Sequence, residues 1–252
     1  MDALDFTDKV VLVVGGSSGI GNGVARSFLK QGAKVHVWGT RLTAGDYDKI
    51  EGSDLTGLIY DSVDVADRNQ ITDSASKIAH LDVLILCQGT VVYRRGEFEP
   101  EGWDRVMAVN LDSLMDCSRA FHDRLADARG SIIIVSSVSG FQSNRGNPAY
   151  AASKAGAVSL TKTLGEAWAR EGIRVNGLAP GLVATKLTAV TTENPQRLEG
   201  ALRAIPIGRM GTPEDMAGAA LFLASPLAAY VAGQTLIAVS YTHLTLPTIL
   251  RV

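Results

Sequence analysis

The unbroken apolar run Lys9-Val-Val-Leu-Val-Val14, which ends directly in Gly15-Gly-Ser-Ser-Gly-Ile-Gly21, constrains this chain more than any other stretch. A β-branched run with no polar alternation forms a strand buried on both faces, and such strands occur in parallel sheets covered by helices. Helical spacing then appears at Val24, Ala25, Phe28 and Leu29 and stops at Gly32, a residue suited to a helix C-terminus. A second apolar run from Lys34 to Trp38 completes a βαβ unit with a right-handed crossover. Within the turn, glycines permit sharp bending and close approach of a pyrophosphate, and the first amides of the helix point at it. A tight strand-to-helix turn needs glycine even without a ligand, so the argument for a dinucleotide rests on the turn's place after the first strand. On that ground Gly15, Ser17, Ser18, Gly19, Ile20 and Gly21 are candidate cofactor contacts.

The end of the second strand bears on which dinucleotide is bound, because an acid there would hold the adenosine ribose. It reads Trp38-Gly39-Thr40-Arg41, with no acid, and Arg41 is placed to meet a 2′-phosphate, which leans toward NADP over NAD. From Leu42 to Leu55 a loop or short helix is expected. Leu58 to Val63 reads as a third strand with Asp64-Val65 at its carboxyl end, followed by a helix capped by Asp67 and carrying Ile71, Ala75, Ile78 and Ala79. Asp82 to Cys87 is a fourth strand ending in Gln88-Gly89-Thr90, and Arg94 and Arg95 fall in a solvated loop. A long helix opens at Glu99-Pro-Glu and carries Trp103, Val106, Met107, Val109 and Asn110, an amide that is a poor helix former and costly to bury. Ser131 to Val135 and Ile173 to Leu178 are further strands, ending in Ser136-Ser137 and Ala179-Pro180-Gly181; Gly233 to Val239 is the last. Thr212-Pro-Glu-Asp starts a helix, and residues 186–210 mix Thr, Asn, Pro and isolated apolar residues, as expected of a mobile lid.

One pair carries proton chemistry. Tyr150-Ala-Ala-Ser-Lys154 places a phenol and an ammonium four residues apart, one above the other on a helix. A cation beside a tyrosine favours the phenolate, and lowering a pKa of about 10 by roughly three units takes about 4 kcal/mol. One exposed lysine does not supply that, so the pair requires a dry pocket and a second cation such as a nicotinamide. A Tyr and a Lys that merely share a solvated face would look the same.

With 252 residues the chain fits one large α/β domain. A net charge of -2, with no basic stripe, argues against nucleic acid or an anionic membrane as partner. The two cysteines, Cys87 and Cys117, lie in apolar surroundings, which favours a reducing cytoplasm over a disulfide framework. No apolar run has the length of a membrane span, and the acidic start does not resemble a signal peptide. His36, His80, His122 and His243 show no ligand spacing, so no metal site is expected.

Taken in order, Gly15-x-x-x-Gly19-x-Gly21, Asp64-Val65, Asn110, Ser137, Tyr150-x-x-x-Lys154, Asn176 and Pro180-Gly181 resemble the short-chain dehydrogenase/reductase family over about Lys9 to Val239, with the 3-oxoacyl-carrier-protein reductase branch nearest in pattern. The resemblance implies a single doubly wound (Rossmann) domain over residues 1–239, with about seven parallel strands and helices on both faces. It implies hydride transfer between NADP or NAD and a ketone or secondary alcohol. Tyr150 is similar to the family's acid/base, Lys154 to its electrostatic partner and ribose ligand, Ser137 rather than Ser136 to the group that binds the substrate oxygen, and Asn110 to the residue holding a relay water. Asp64 and Val65 would contact adenine, and Gly89, Pro180, Gly181, Val183 and Thr185 the rest of the cofactor. A homo-oligomer, tetramer or dimer, is also implied. A dinucleotide-binding sensor without turnover is the alternative, but such a protein has no use for a tuned phenol.

Three departures from the family pattern stand out. Val14 replaces the usual threonine before the glycines, and Leu86-Cys87-Gln88-Gly89 replaces Asn-Asn-Ala-Gly, removing an amide that ties strands together. After Val239, residues 240–252 resemble read-through sequence and are expected to be non-native, which would impair assembly.

Overall fold

In the computed structural model, which describes residues 3–240, the apolar run becomes β1 (Val10–Val14) and the segment after the first helix becomes β2 (Lys34–Gly39). Five more strands follow: β3 (Ile59–Ser62), β4 (Val83–Leu86), β5 (Ser131–Val135), β6 (Arg174–Pro180) and β7 (Thr235–Ala238). All pair in parallel, in the order β3-β2-β1-β4-β5-β6-β7. The chain therefore works outward from β1 to one edge, returns to β4 and works outward to the other, and the crevice at the carboxyl ends of β1 and β4 is where such a sheet takes a ligand.

Side chains alternate between two layers, as a pleated strand requires. Leu12, Val14, Leu84, Leu86, Ile132 and Ile134 pack under α2 (Arg68–Ser76), α4 (Ser113–Ala120) and α6 (Pro148–Ala167). Val11, Val13, Val37, Ile85, Ile133 and Val135 face the other way, against α1 (Gly19–Lys30) and α9 (Pro213–Ala224). Helices α3 (Pro100–Met107), α5 (His122–Ala128), α7 (Ala189–Thr192) and α8 (Pro195–Arg203) fill the longer crossovers.

Helix ends are fastened by recognisable chemistry. At the end of α1 the Gly32 amide donates to Leu29 and the Ala33 amide to Phe28, a double closure that needs the left-handed φ of +87° at Gly32. Asp67 accepts from the Asn69 amide at the start of α2, and Thr212 and Asp215 cap α9 reciprocally, with Pro213 at its first position. The Arg209 guanidinium, bonded to Asp215, helps hold that carboxyl at about 2. Arg174 donates to the carbonyls of Leu223, Ala224, Ser225 and Ala228, placing a cation at the negative end of α9.

Several expectations are corrected. The helix after Asp67 ends at Ser76, because the amides of Lys77 and Ile78 tighten onto Ser74 and Ala75; Ile78 remains buried and Ala79 is exposed. The long helix expected from Glu99 is α3, then a π-helical turn Ala108–Asp112, then α4. The segment 42–55 is, as expected, loop with one short 3-10 helix, Ala44–Tyr47, and 186–210 contains a 3-10 turn Lys186–Thr188 followed by α7 and α8. The expectation of a foreign tail falls, from residue 241 onward, outside the described residues.

Phe28 is fully buried and meets the ring of Phe6 edge-on at 4.8 Å. Phe28→Ala is expected to cost about 3–5 kcal/mol, read as a lower urea midpoint with unchanged slope. A loss below about 1 kcal/mol would show that the layer under α1 can collapse around the missing ring.

Candidate active site

Helix α6 begins with Pro148, whose missing N–H costs nothing at a first helical position, and carries Tyr150 and Lys154 one turn apart toward the end of β5. Lys154 Nζ lies 5.7 Å from the centre of the Tyr150 ring and donates to the carbonyl of Val135, the last residue of β5, at 2.8 Å. Ser137, just beyond β5, shares a hydrogen bond with the Tyr150 phenol, and its Oγ accepts the Ser139 amide at 3.1 Å. The Ser136 hydroxyl points elsewhere and donates to the Lys154 carbonyl at 2.8 Å. Asn110, in the π-helical turn, accepts from the Thr90 amide at 2.8 Å and donates to the Thr90 carbonyl at 2.9 Å and to Ser153 Oγ at 3.3 Å. Its side-chain amide thus fastens the loop after β4, and widened turns of this kind are frequent at functional sites.

Burial dominates the titration of this cluster. It pushes the Lys154 ammonium down to about 8, and it pushes the Tyr150 phenol up; the Ser137 hydrogen bond opposes, while Tyr93, Cys87 and Glu97 add to the rise. With the protein's own groups alone, the phenol thus stands above its ordinary value. A phenolate this deeply buried loses more hydration than the neighbouring groups return. Burial also raises the Cys87 thiol to about 11.

The glycine turn is shaped as a cradle. Gly15 and Gly19 have φ of +74° and +55°, and a Cβ at Gly21 would stand 2.1 Å from the Gly15 carbonyl oxygen. A Cβ at Gly19 would meet the Thr185 side chain at 3.3 Å, so the turn and the loop after β6 face each other. Gly89 sits beside Lys154 and Asn110, with a Cβ position 3.6 Å from Lys154 Nζ and 3.8 Å from Asn110 Oδ1. Pro180 ends β6, the Gly181 amide bonds the Ala238 carbonyl, and Val183 is buried in a bridge to Gly211. Ser18 precedes α1 in extended backbone, and Ile20 packs on the layer under α1. Asp64 engages the Ala66 amide with Oδ1 and Arg105 with Oδ2, at 3.0 and 3.4 Å, and Val65 is buried.

Sequence reasoning missed the residues that support this cradle. Asn22 donates to the carbonyls of Gly16 and Asp54 and accepts from the Asp54 amide, while the Gly19 amide donates to the Gly52 carbonyl at 2.9 Å. The segment around 52–54 is thereby stapled to the turn. Tyr47 accepts the amides of Thr40 and Arg41, bonds Ser17, and lies 5.4 Å beneath the Arg41 guanidinium. Gln88 partly restores the tie lost with the usual asparagine, through Nε2 to Ser113 at 2.8 Å. An asparagine as the fourth residue of α1, directly after Gly21, was the one readable signal among these.

A family model described as Enoyl-(Acyl carrier protein) reductase matches residues 14–239. The chain belongs to the short-chain dehydrogenase/reductase family. Over 247 residues this family member is 38% identical to the 3-oxoacyl-[acyl-carrier-protein] reductase of Chlamydia pneumoniae, covering 93% of this chain and 96% of that one. It is 35% identical to the 2-dehydro-3-deoxy-D-gluconate 5-dehydrogenase of Bacillus subtilis, covering 93% and 94%. A solved structure from Beutenbergia cavernae with bound NADP, described as a putative NAD(P)-dependent gluconate 5-dehydrogenase, superposes with a TM-score of 0.85 at 34% identity, covering 94% and 98%. The short-chain dehydrogenase/reductase described here is accordingly an NAD(P)-dependent oxidoreductase, and these relatives are named as reductases and dehydrogenases rather than sensors. Among the described residues, no helix is long and apolar enough to cross a membrane.

The buried ammonium makes a testable claim. With a folded pKa of about 8 against an ordinary 10.5, keeping Lys154 charged at neutral pH costs about 3 kcal/mol. The folded state binds the proton less tightly than the unfolded one, so stability rises as pH climbs from 8 toward 10.5. Lys154→Met, which also forfeits the bond to Val135, is expected to gain about 1–2 kcal/mol at pH 7 by urea unfolding while losing turnover, and the gain shrinks above pH 8. No gain at pH 7 would show that the ammonium pays no desolvation penalty.

Proposed function

We propose that this dehydrogenase interconverts a ketone and a secondary alcohol with Tyr150 as acid/base. The observation that carries the reading is the convergence of the Ser137 hydroxyl, the Tyr150 phenol and the buried Lys154 ammonium at the end of β5, beside Gly89 and the glycine cradle.

The cradle fits a dinucleotide, since its glycines let β1 turn tightly into α1, where a Cβ at Gly21 would strike the Gly15 carbonyl, and the first amides of a helix are suited to a pyrophosphate. When bound, the nicotinamide supplies or accepts the hydride. Gly15, Ser17, Ser18, Gly19, Ile20 and Gly21 would hold the pyrophosphate end, Arg41 a 2′-phosphate, and Asp64 and Val65 the adenine. Gly89, Pro180, Gly181, Val183 and Thr185, with Tyr150 and Lys154, would hold the nicotinamide half.

Burial keeps the phenol protonated, which is the form that donates to a carbonyl oxygen. Ser137 holds that oxygen in line, Lys154 stabilises the phenolate left behind, and Asn110 keeps the loop bearing Gly89 in place. Residues 186–210 would act as the substrate lid: the Tyr93 hydroxyl donates to the Leu187 carbonyl at 2.6 Å, joining the loop after β4 to this segment. The exposed apolar residues Phe222, Leu227, Tyr230 and Leu236, on α9, around the loop beyond it and on the edge strand β7, support a homo-oligomer, dimer or tetramer. The two free thiols, Cys117 buried and Cys87 half-buried, suit a reducing cytoplasm.

A panel of 3-oxoacyl thioesters, keto sugar acids and cyclic ketones, followed by loss of reduced-cofactor absorbance, tests the activity; saturable cofactor binding with no turnover on any member would sink it. Tyr150→Phe is expected to lower kcat by about a thousandfold or more and leave cofactor affinity within about twofold. Retention of most activity would overturn the mechanism. Arg41→Ala is expected to weaken NADPH binding about tenfold and NADH binding hardly at all, measured by fluorescence titration. Equal losses for the two cofactors would remove Arg41 from the 2′-phosphate.

A further inference from the structure

Glu97 is a fully buried acid in the short turn Gly96–Phe98, before α3. Its oxygens accept from three separate segments: Oε1 from the Val92 amide at 3.1 Å and from Asn147 Nδ2 at 2.9 Å, and Oε2 from the Tyr150 amide at 2.9 Å. Every one of these contacts has the glutamate accepting, the pattern of a carboxylate. The first amides of a helix have no partner within it, and a side chain at the N-cap usually supplies one. Asn147 holds the N-cap place of α6 but makes no capping bond; its amide group turns to Glu97 instead. An acid 53 residues upstream of Tyr150 therefore does the capping. A local Ser or Asp would have met the helix's need more cheaply than a carboxylate with no exposure, whose burial is offset by charge-assisted N–H bonds and the positive end of α6. What the distant acid adds is a tie between the acid/base and the loop on the substrate side, because Val92 precedes the Tyr93 that bonds Leu187.

We propose that Glu97 is a positioning residue for Tyr150: its carboxylate locks the main chain of the acid/base to the 91–97 loop as one unit, and so aims the phenol. The inference rests on Tyr150 being the acid/base. The charge acts on the phenol as well. The groups facing the Tyr150 side chain are Ser137, Tyr93, Cys87 and Glu97, together with Lys154 one turn on. After burial, Glu97 is among those that push the phenol up.

Glu97→Gln keeps the shape, removes the charge and turns one acceptor into a donor aimed at N–H groups. In the cofactor-free protein, NMR of ring-labelled tyrosine, with Tyr150 assigned by its loss in Tyr150→Phe, is expected to show the phenol titrating at lower pH than in the parent protein. In turnover, kcat is expected to fall about tenfold or more with cofactor affinity within about twofold. Glu97→Asp keeps the charge but is a methylene short, so it is expected to lose kcat while leaving the titration nearly in place. A folded Glu97→Gln with both phenol titration and kcat unchanged would reduce Glu97 to a structural cap and overturn the proposal. Should that variant fail to fold, Asn147→Leu, which removes one donor to the carboxylate, is expected to lower kcat about threefold at unchanged KM, and an unaltered kcat overturns the proposal. If Tyr150→Phe instead keeps its turnover, the acid/base reading fails on its own, independently of the titration.

Discussion

An ammonium group held inside the molecule, bonded to the last carbonyl of β5, is the contact on which the site depends. Lys154 reaches Val135 with its side chain, and its own carbonyl takes the Ser136 hydroxyl, so α6 is pinned at two points to the strand it follows. That pinning decides where Tyr150 stands relative to Ser137. It comes at a cost in stability, since a buried cation without a carboxylate partner is poorly solvated. The layers of aliphatic side chains on both faces of the sheet are what the fold sets against that cost.

The strands were readable because a parallel sheet covered on both sides demands continuous apolar segments; β1, β4 and β5 announce themselves in this way, and β5 begins and ends where the pattern does. The short edge strands β3 and β7 are less distinct, since one side of each has no neighbour to demand apolar residues. Helix ends with capping chemistry, such as Asp67 and Thr212, were equally legible. The π-helical turn at Asn110 was not, because a single inserted residue changes the backbone without disturbing local composition.

In the site, spacing told which side chains meet but not how they titrate. Tyr150 and Lys154 are neighbours on any helix, whereas the sign of the phenol's shift is set by burial, which depends on distant segments. Glu97 was invisible for a related reason. Beside Phe98 and Glu99 it reads as one more acid ahead of a helix, and only the tertiary fold brings Tyr150 and Asn147 to its oxygens.

Asn110 and Thr90 close a ring of two hydrogen bonds in which a side-chain amide stands in for a peptide group. Strand β4 ends with Leu86 and the Cys87 amide still bonds Val14 of β1, yet this ring adds a rung further on, formed by a residue that belongs to no strand. Gly89 consequently sits on backbone braced like that of a strand interior, with Lys154 Nζ and Asn110 Oδ1 close to where a side chain would stand. Stiffness at this glycine therefore comes from behind, while the glycine itself adds no side chain in front.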